Sequence, residues 1–157
     1  AAVFAIDEIV EEVDFICLGT NDLVQYFLAV DRDNESVADW FQTLHPAILR
    51  ALKTVMAAAE KRGIPVIVCG EMAGSPVYIP ILLGLGATEM SMNVNSIERV
   101  SKIISNIAFE ETRELVGNLE SCRTAAEIEN SVTDFYQKKW SHLFPVDLFP
   151  PRRKYKF

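Results

Sequence analysis

The sequence predicts an α/β fold built on parallel strands, and three observations carry that prediction. Short, largely apolar runs at Asp14–Leu18, Pro65–Cys69 and Thr88–Asn93 are bounded by turn residues, as buried strands are. Each is followed by a stretch with helical apolar spacing, and strands alternating with helices indicate parallel βαβ units. With 157 residues, half of them hydrophobic, the chain can bury a real core, and one domain is the default. Three strand–helix units cannot close a barrel, which needs eight. The choice is therefore between a small open α/β domain and the last part of a (β/α)8 barrel, three βα units plus extra helices, whose earlier strands lie upstream. A start without methionine, inside what reads as a helix, favours the second and a piece of a longer protein.

Along the chain, Ala1–Val13 places apolar residues at 3, 6, 9, 10 and 13 with acids opposite, a helical pattern. The strand Asp14–Leu18 runs into a Gly19-Thr20-Asn21-Asp22 turn, after which Leu23–Val30 is apolar enough to begin a helix and Asp31–Ser36 interrupts it as a polar loop. Pro46 and Gly63 bracket a strong helix, Ala47–Arg62, with Lys61 and Arg62 in its last turn. After Pro65–Cys69, Ser75 is expected to cap a helix that has Pro76 first and ends near Leu83, before Gly84 and Gly86. Thr88–Asn93 is the third strand. Asn95 or Ser96 is expected to cap Ile97–Ile107, Phe109–Leu119 is amphipathic, and Thr124-x-x-Glu127 is a capping box opening a helix to about Trp140. Residues 1–141 read as the domain proper. The tail His142–Phe157 carries three prolines, ends RRKYKF and is expected to be extended. Its Arg152, Arg153, Lys154 and Lys156 read as a solvated tail before a partner-binding one.

Charge and composition exclude several functions. A net charge of −7 argues against a general nucleic-acid binder. No apolar run reaches membrane-spanning length, and Ala1–Val10 lacks the basic start of a signal peptide. Cysteines at 17, 69 and 122 have neither CxxC nor Cys/His metal spacing; Cys17 in a strand and Cys122 at a helix end read as inert thiols. The chain reads as a reduced, cytoplasmic protein.

The candidates for chemistry lie just past the first two strands, the edge where α/β folds place their ligands. Asn21 and Asp22 supply hard oxygens suited to Mg²⁺, which takes one or two protein carboxylates and fills its shell with water and phosphate oxygens; the same pair also reads as a turn or helix cap. Arg32 suits two-pronged binding of carboxylate or phosphate, or is a solvated charge between Asp31 and Asp33. Cys69 ends an apolar strand beside Gly70 and Glu71, with Gly74 shortly after. A thiol there suits a nucleophile, a proton donor, or a small buried hydrophobe, and with an ordinary pKa of about 8.5 a thiol is mostly protonated near neutral pH. Met90 and Met92 read as core, Asn93 and Asn95 as caps, and His45 and His142 as structural.

Read as a set, LGTNDLVQYFLAVDR, VCGEMAG, LLGLGATEMSMN and LHPAIL closely resemble the C-terminal domain of enzyme I of the phosphoenolpyruvate-dependent phosphotransferase system. TLHPAIL, SMNVNSIERV and the proline-containing tail are most similar to its nitrogen-related branch. The resemblance covers roughly residues 13–107 strongly and the last helices weakly. It implies a (β/α)8 barrel that binds phosphoenolpyruvate and Mg²⁺. The phosphoryl group would pass to a histidine on a separate swivelling domain, and then to a small histidine-bearing carrier protein. By motif match, Asp22 corresponds to the magnesium ligand, Asn21 and Arg32 to residues that hold the substrate, and Cys69 to the cysteine that protonates the pyruvate enolate at its methylene carbon. The family usually carries threonine where this chain has Val24.

The phospho-accepting histidine domain, two further arginines and a glutamate metal ligand belong upstream in such proteins, so the resemblance implies a fragment that does not turn over alone. It also implies a homodimer through this domain. Pyruvate phosphate dikinase and phosphoenolpyruvate synthase share GTND-like and CGE-like motifs; AVDR and MAG favour the protein phosphotransferase. A regulatory or dimerisation module that only binds is the alternative from another class.

Overall fold

The computed structural model describes residues 1–149, and the alternation of strand and helix is present in it. Strands β1 (Ile16–Gly19), β2 (Val66–Cys69) and β3 (Glu89–Met90) form one parallel sheet in chain order. Helix α1 (Ile6–Glu12) precedes β1. Helices α2 (Thr20–Leu28) and α3 (Pro46–Arg62) join β1 to β2, and the short α4 (Glu71–Gly74) and α5 (Ile79–Gly84) join β2 to β3. Then come α6 (Val94–Ile104), α7 (Phe109–Leu119) and α8 (Ala125–Lys139).

Strand register decides what the sheet shows to each side. Ile16 pairs with Val66, Cys17 with Ile67, Leu18 with Val68 and Gly19 with Cys69; Ile67 and Val68 continue to Glu89 and Met90. Because side chains alternate across a strand, Leu18, Val66 and Val68 share one face with Ile16 and Met90, and all five pack into the core. Cys17, Gly19, Ile67, Cys69 and Glu89 share the other face, and none of them is buried. The first strand is thus covered on one side only. The run Asp14–Leu18 is therefore not a fully buried strand, as its apolar sequence suggested: Cys17 within it is exposed.

Helix α3 shows why the core sits beneath that covered face. Pro46 opens the helix, the His45 Nδ1 accepts the Ala47 N–H at 3.1 Å, and Gly63 closes it in the left-handed region at φ 76°. The stripe Ile48, Leu52, Val55 and Ala59 is buried. Helices α5 and α7 pack backbone to backbone: a Cβ on Gly84 would lie 2.2 Å from the Thr112 carbonyl oxygen. Tyr136, Trp140 and Phe144 form an aromatic cluster at the end of α8, with ring centroids 4.3 Å apart for Tyr136–Phe144 and 5.1 Å for Tyr136–Trp140. Its polar atoms are satisfied: the Tyr136 hydroxyl donates to the Val77 carbonyl at 2.7 Å and the Trp140 Nε1–H to Glu111 Oε2 at 2.8 Å.

Several local expectations are corrected. Residues 20–22 form the first turn of α2 rather than a turn before it, because β1 passes into the helix at Gly19 with no loop. Ser75 does not cap a helix; the chain makes the one-turn α4, then a turn in which Ser75 O accepts the Tyr78 N–H, and α5 starts at Ile79 with Pro80 in its first turn. The third strand is two residues long, extended by a Ser91 N–H to Val68 O bond. Of the candidate caps for α6 it is Asn93, read as a cap in the sequence, and not Asn95 or Ser96 that serves, accepting the Asn95 N–H at 2.7 Å, and the helix starts at Val94 rather than Ile97. Thr124 caps α8 as expected, while Glu127 reaches the Arg123 N–H. Past α8, the chain makes a turn back to Trp140 and buries Phe144; the four basic residues of the tail lie outside the described residues.

Candidate active site

Parallel pairing brings the two candidate segments to one edge. Gly19 and Cys69 are registered partners and each is the last residue of its strand, so the residues that follow, 20–22 and 70–74, emerge side by side. Thr20, Asn21 and Asp22 occupy the first turn of α2, where backbone N–H groups lack intrahelical acceptors and negative charge is favoured.

The two segments are in direct contact. The Thr20 Oγ1 hydroxyl, 1% exposed, donates to the Cys69 carbonyl at 2.8 Å. Asn21 Oδ1 accepts the Glu71 N–H at 3.0 Å. Between those bonds Gly70 has φ 94° and ψ −169°, a region essentially reserved for glycine. A Cβ there would sit 2.6 Å from Thr20 Oγ1 and 3.1 Å from Asn21 Oδ1. Gly19 also leaves room: the nearest neighbour of a Cβ built on it is the Cys69 Sγ, at 4.0 Å. The half-buried Cys69 thiol therefore lies beside a position with no side chain of its own, on the uncovered face of the sheet.

The other two candidates are placed differently. Asp22 is exposed and lines a cleft of about 340 Å³ beside β1, together with Ile6, Cys17, Gly19 and Tyr26; Cys69 and Arg32 are not among its lining residues. Arg32 lies on the loop after α2, with its Nε 3.9 Å from Asp33 Oδ1. The structure thus joins Asn21 to the Cys69 segment, sets Asp22 on the adjoining cleft, and pairs Arg32 with its sequence neighbour. No group of three His, Cys, Asp or Glu side chains among the described residues is arranged to hold a metal ion. One carboxylate, Asp22, fits an Mg²⁺ that draws its other ligands from water and substrate oxygens.

The sequence marks Thr20 as part of a polar turn and Gly70 as a glycine that lets a ligand come close, but shows neither the Thr20 contact nor the conformation of Gly70, and it gives Tyr78 no role. Tyr78 follows the Cys69 segment, and burial pushes its phenol pKa up; the Glu129 and Glu71 carboxylates act the same way and a hydrogen bond with Thr43 opposes them. The signal for Thr20 was present, a hydroxyl between a strand-ending glycine and Asn21, but its partner lies 49 residues away. Cys122 remains apart from the site; its thiol pKa is raised by burial and by Glu127.

Residues 1–109 match the family described as PEP-utilising enzyme, PEP-binding domain. The chain is 42% identical over 137 residues to a Salmonella typhimurium protein named phosphoenolpyruvate-dependent phosphotransferase system, covering 87% of this chain and 18% of that one. It is 46% identical over 132 residues to the phosphoenolpyruvate-protein phosphotransferase of Geobacillus stearothermophilus, covering 84% and 23% respectively. It is also 38% identical over 135 residues to multiphosphoryl transfer protein 2 of Escherichia coli, covering 86% and 16%. The chain spans about a fifth of the length of these relatives. With more than two thirds of its length matched, the chain belongs to the PEP-utilising enzymes, as part of their PEP-binding domain.

Proposed function

We propose that this chain is part of a phosphoenolpyruvate–protein phosphotransferase and supplies one wall of its phosphoenolpyruvate and Mg²⁺ site. The observation that carries the proposal is the Gly19–Cys69 register, which sets Thr20-Asn21-Asp22 against Cys69-Gly70-Glu71 at the carboxyl edge of the sheet. Similarity to relatives named for this activity supports it, and the resemblance of TLHPAIL and SMNVNSIERV supports the nitrogen-related branch.

The sheet is a segment of a (β/α)8 barrel in this reading. Parallel sheets are normally covered on both faces, yet Cys17, Ile67 and Glu89 face away from the helices, as residues lining a barrel interior would. Exposed apolar side chains flank both edge strands, with Phe15 preceding β1 and Val94, Ile97 and Ile104 following β3. The remaining strands of the barrel would pair there. Homodimerisation, and action in the cytoplasm on a histidine-bearing carrier protein, belong to the same proposal; no helix among the described residues is long and apolar enough to cross a membrane.

Chemically, the enol ester P–O bond breaks as the phosphoryl group passes to a histidine imidazole elsewhere in the parent protein. Asn21, with its oxygen engaged by Glu71, has its Nδ2–H donors left for substrate oxygens, and Arg32 swings from Asp33 to the anionic substrate. An Mg²⁺ held by Asp22 would supply charge neutralisation at the phosphoryl oxygens. The enolate left behind takes the Cys69 thiol proton at its methylene carbon, giving pyruvate and a thiolate that is reprotonated by solvent.

The test uses the full-length protein, Mg²⁺ and phosphoenolpyruvate labelled in its phosphate. Histidine labelling that is lost in Asp22→Ala, with pyruvate release lost in Cys69→Ala, is the expected result. Phosphoenolpyruvate binding without labelling in the wild type would move the protein to a non-catalytic, regulatory role.

A further inference from the structure

We infer that Thr20 is a positioning residue whose hydroxyl holds the Cys69 peptide and thereby sets where the Cys69 thiol points. This rests on the proposed role of Cys69 as proton donor. The β1–β2 ladder ends at the Gly19–Cys69 pair, so no sheet hydrogen bond orients the chain beyond it. In place of a further rung, two side chains from the first turn of α2 take hold of the loop. Thr20 Oγ1 grips the Cys69 carbonyl on one side of Gly70, and Asn21 Oδ1 grips the Glu71 N–H on the other. Gly70 is what lets α2 approach so closely.

The two grips differ in setting. Thr20 is buried, and a buried hydroxyl that lost its acceptor would have no water to replace it, whereas Glu71 is exposed. Thr20 is therefore the firmer of the two. The Gly19–Cys69 rung holds the backbone entering Cys69, and the Thr20 bond holds the peptide leaving it; together they fix ψ at Cys69 and so the direction of its Cα–Cβ bond toward the space above Gly19. A donor that must meet a methylene carbon at one geometry gains from that constraint.

Thr20→Val keeps the shape of the side chain and removes the donor; Thr20→Ser keeps the donor. In the full-length protein, alkylation of Cys69 by iodoacetamide is followed by peptide mass spectrometry, with Cys122, which lies apart from the site, as internal reference. Kinetics of pyruvate release are measured alongside. In Thr20→Val, Cys69 alkylation is expected to rise roughly three- to tenfold, the range that one neutral hydrogen bond supports. Under the same change kcat falls about tenfold, KM stays within about twofold, and Thr20→Ser restores both rates. Wild-type alkylation and kcat in Thr20→Val would overturn the inference. If Cys69→Ala released pyruvate normally, the proton-donor reading would fall instead, and the alkylation rates would still decide whether Thr20 holds the loop.

Discussion

Replacing Gly70 with alanine tests whether the contact between α2 and the Cys69 segment is built into the backbone. At φ 94° and ψ −169° an alanine carries about 1–3 kcal/mol of conformational strain. Its Cβ, 2.6 Å from Thr20 Oγ1 and 3.1 Å from Asn21 Oδ1, adds an overpacking cost of about 1–3 kcal/mol. Keeping the loop in place therefore costs roughly 2–6 kcal/mol. Letting the loop swing out forfeits the Glu71 N–H to Asn21 bond, about 1 kcal/mol net, and leaves the buried Thr20 hydroxyl without its acceptor, about 1–3 kcal/mol, together roughly 2–4 kcal/mol. Release is the cheaper response. In the full-length protein Gly70→Ala is thus expected to lower stability by about 2–4 kcal/mol in urea unfolding while displacing Cys69 and Glu71. A displacement near 1 Å reduces turnover on the order of a hundredfold. Parallel measurement of the unfolding midpoint and of pyruvate release gives the two numbers. A variant with wild-type turnover, or one whose stability falls far more than its activity, would refute this reasoning.

Two further expectations concern the helix that buttresses the segment after the site. Tyr136→Phe removes the donor to the Val77 carbonyl in a fully buried position, at an expected cost of about 1–3 kcal/mol in urea unfolding. Burial raises the Tyr136 pKa well above its ordinary value, and Tyr78 is raised too. Unfolded tyrosines ionise from about pH 10, so above that pH the unfolded state binds fewer protons than the folded state. The stability these residues contribute is fully present below about pH 10 and declines as pH rises beyond it. Thermal midpoints taken from pH 8 upward should show a shallower alkaline decline in Tyr136→Phe than in the wild type; identical declines would count against the assignment.

What was legible in the sequence was mainly local. Pro46 and Gly63 bracket α3 because a missing N–H is harmless in a first turn and a left-handed residue suits a helix end, and both facts are carried by single residues. Thr124 and Glu127 marked α8 in the same way. The parallel sheet followed from alternation of element types. Ser75 and Pro76 misled because the same pair serves a tight turn, and the packing of Met72, Ala73 and Ile79 into the core decided where the chain could bend. Two asparagines, Asn93 and Asn95, offered a cap for α6, and with β3 ending at Met90 the earlier one serves. For the site, strand ends and residue types picked out Asn21, Asp22 and Cys69. The grip of Thr20 and the conformation of Gly70 are products of strand register between segments about fifty residues apart, which no local pattern encodes. A barrel segment implies an exposed face, but not which residues form it: Cys17 and Ile67 look like core until pairing assigns them to the side without helices.

The most direct test of a shared site at the ends of β1 and β2 is a crystal structure of the full-length protein with Mg²⁺ and a phosphonate analogue of phosphoenolpyruvate. The expected result has the metal on the Asp22 carboxylate at about 2.1 Å, the Asn21 amide nitrogen on an anionic oxygen of the analogue, and the Cys69 Sγ facing its methylene carbon. An analogue bound elsewhere, with Asp22 and Cys69 both out of contact with it or its metal, would contradict the account.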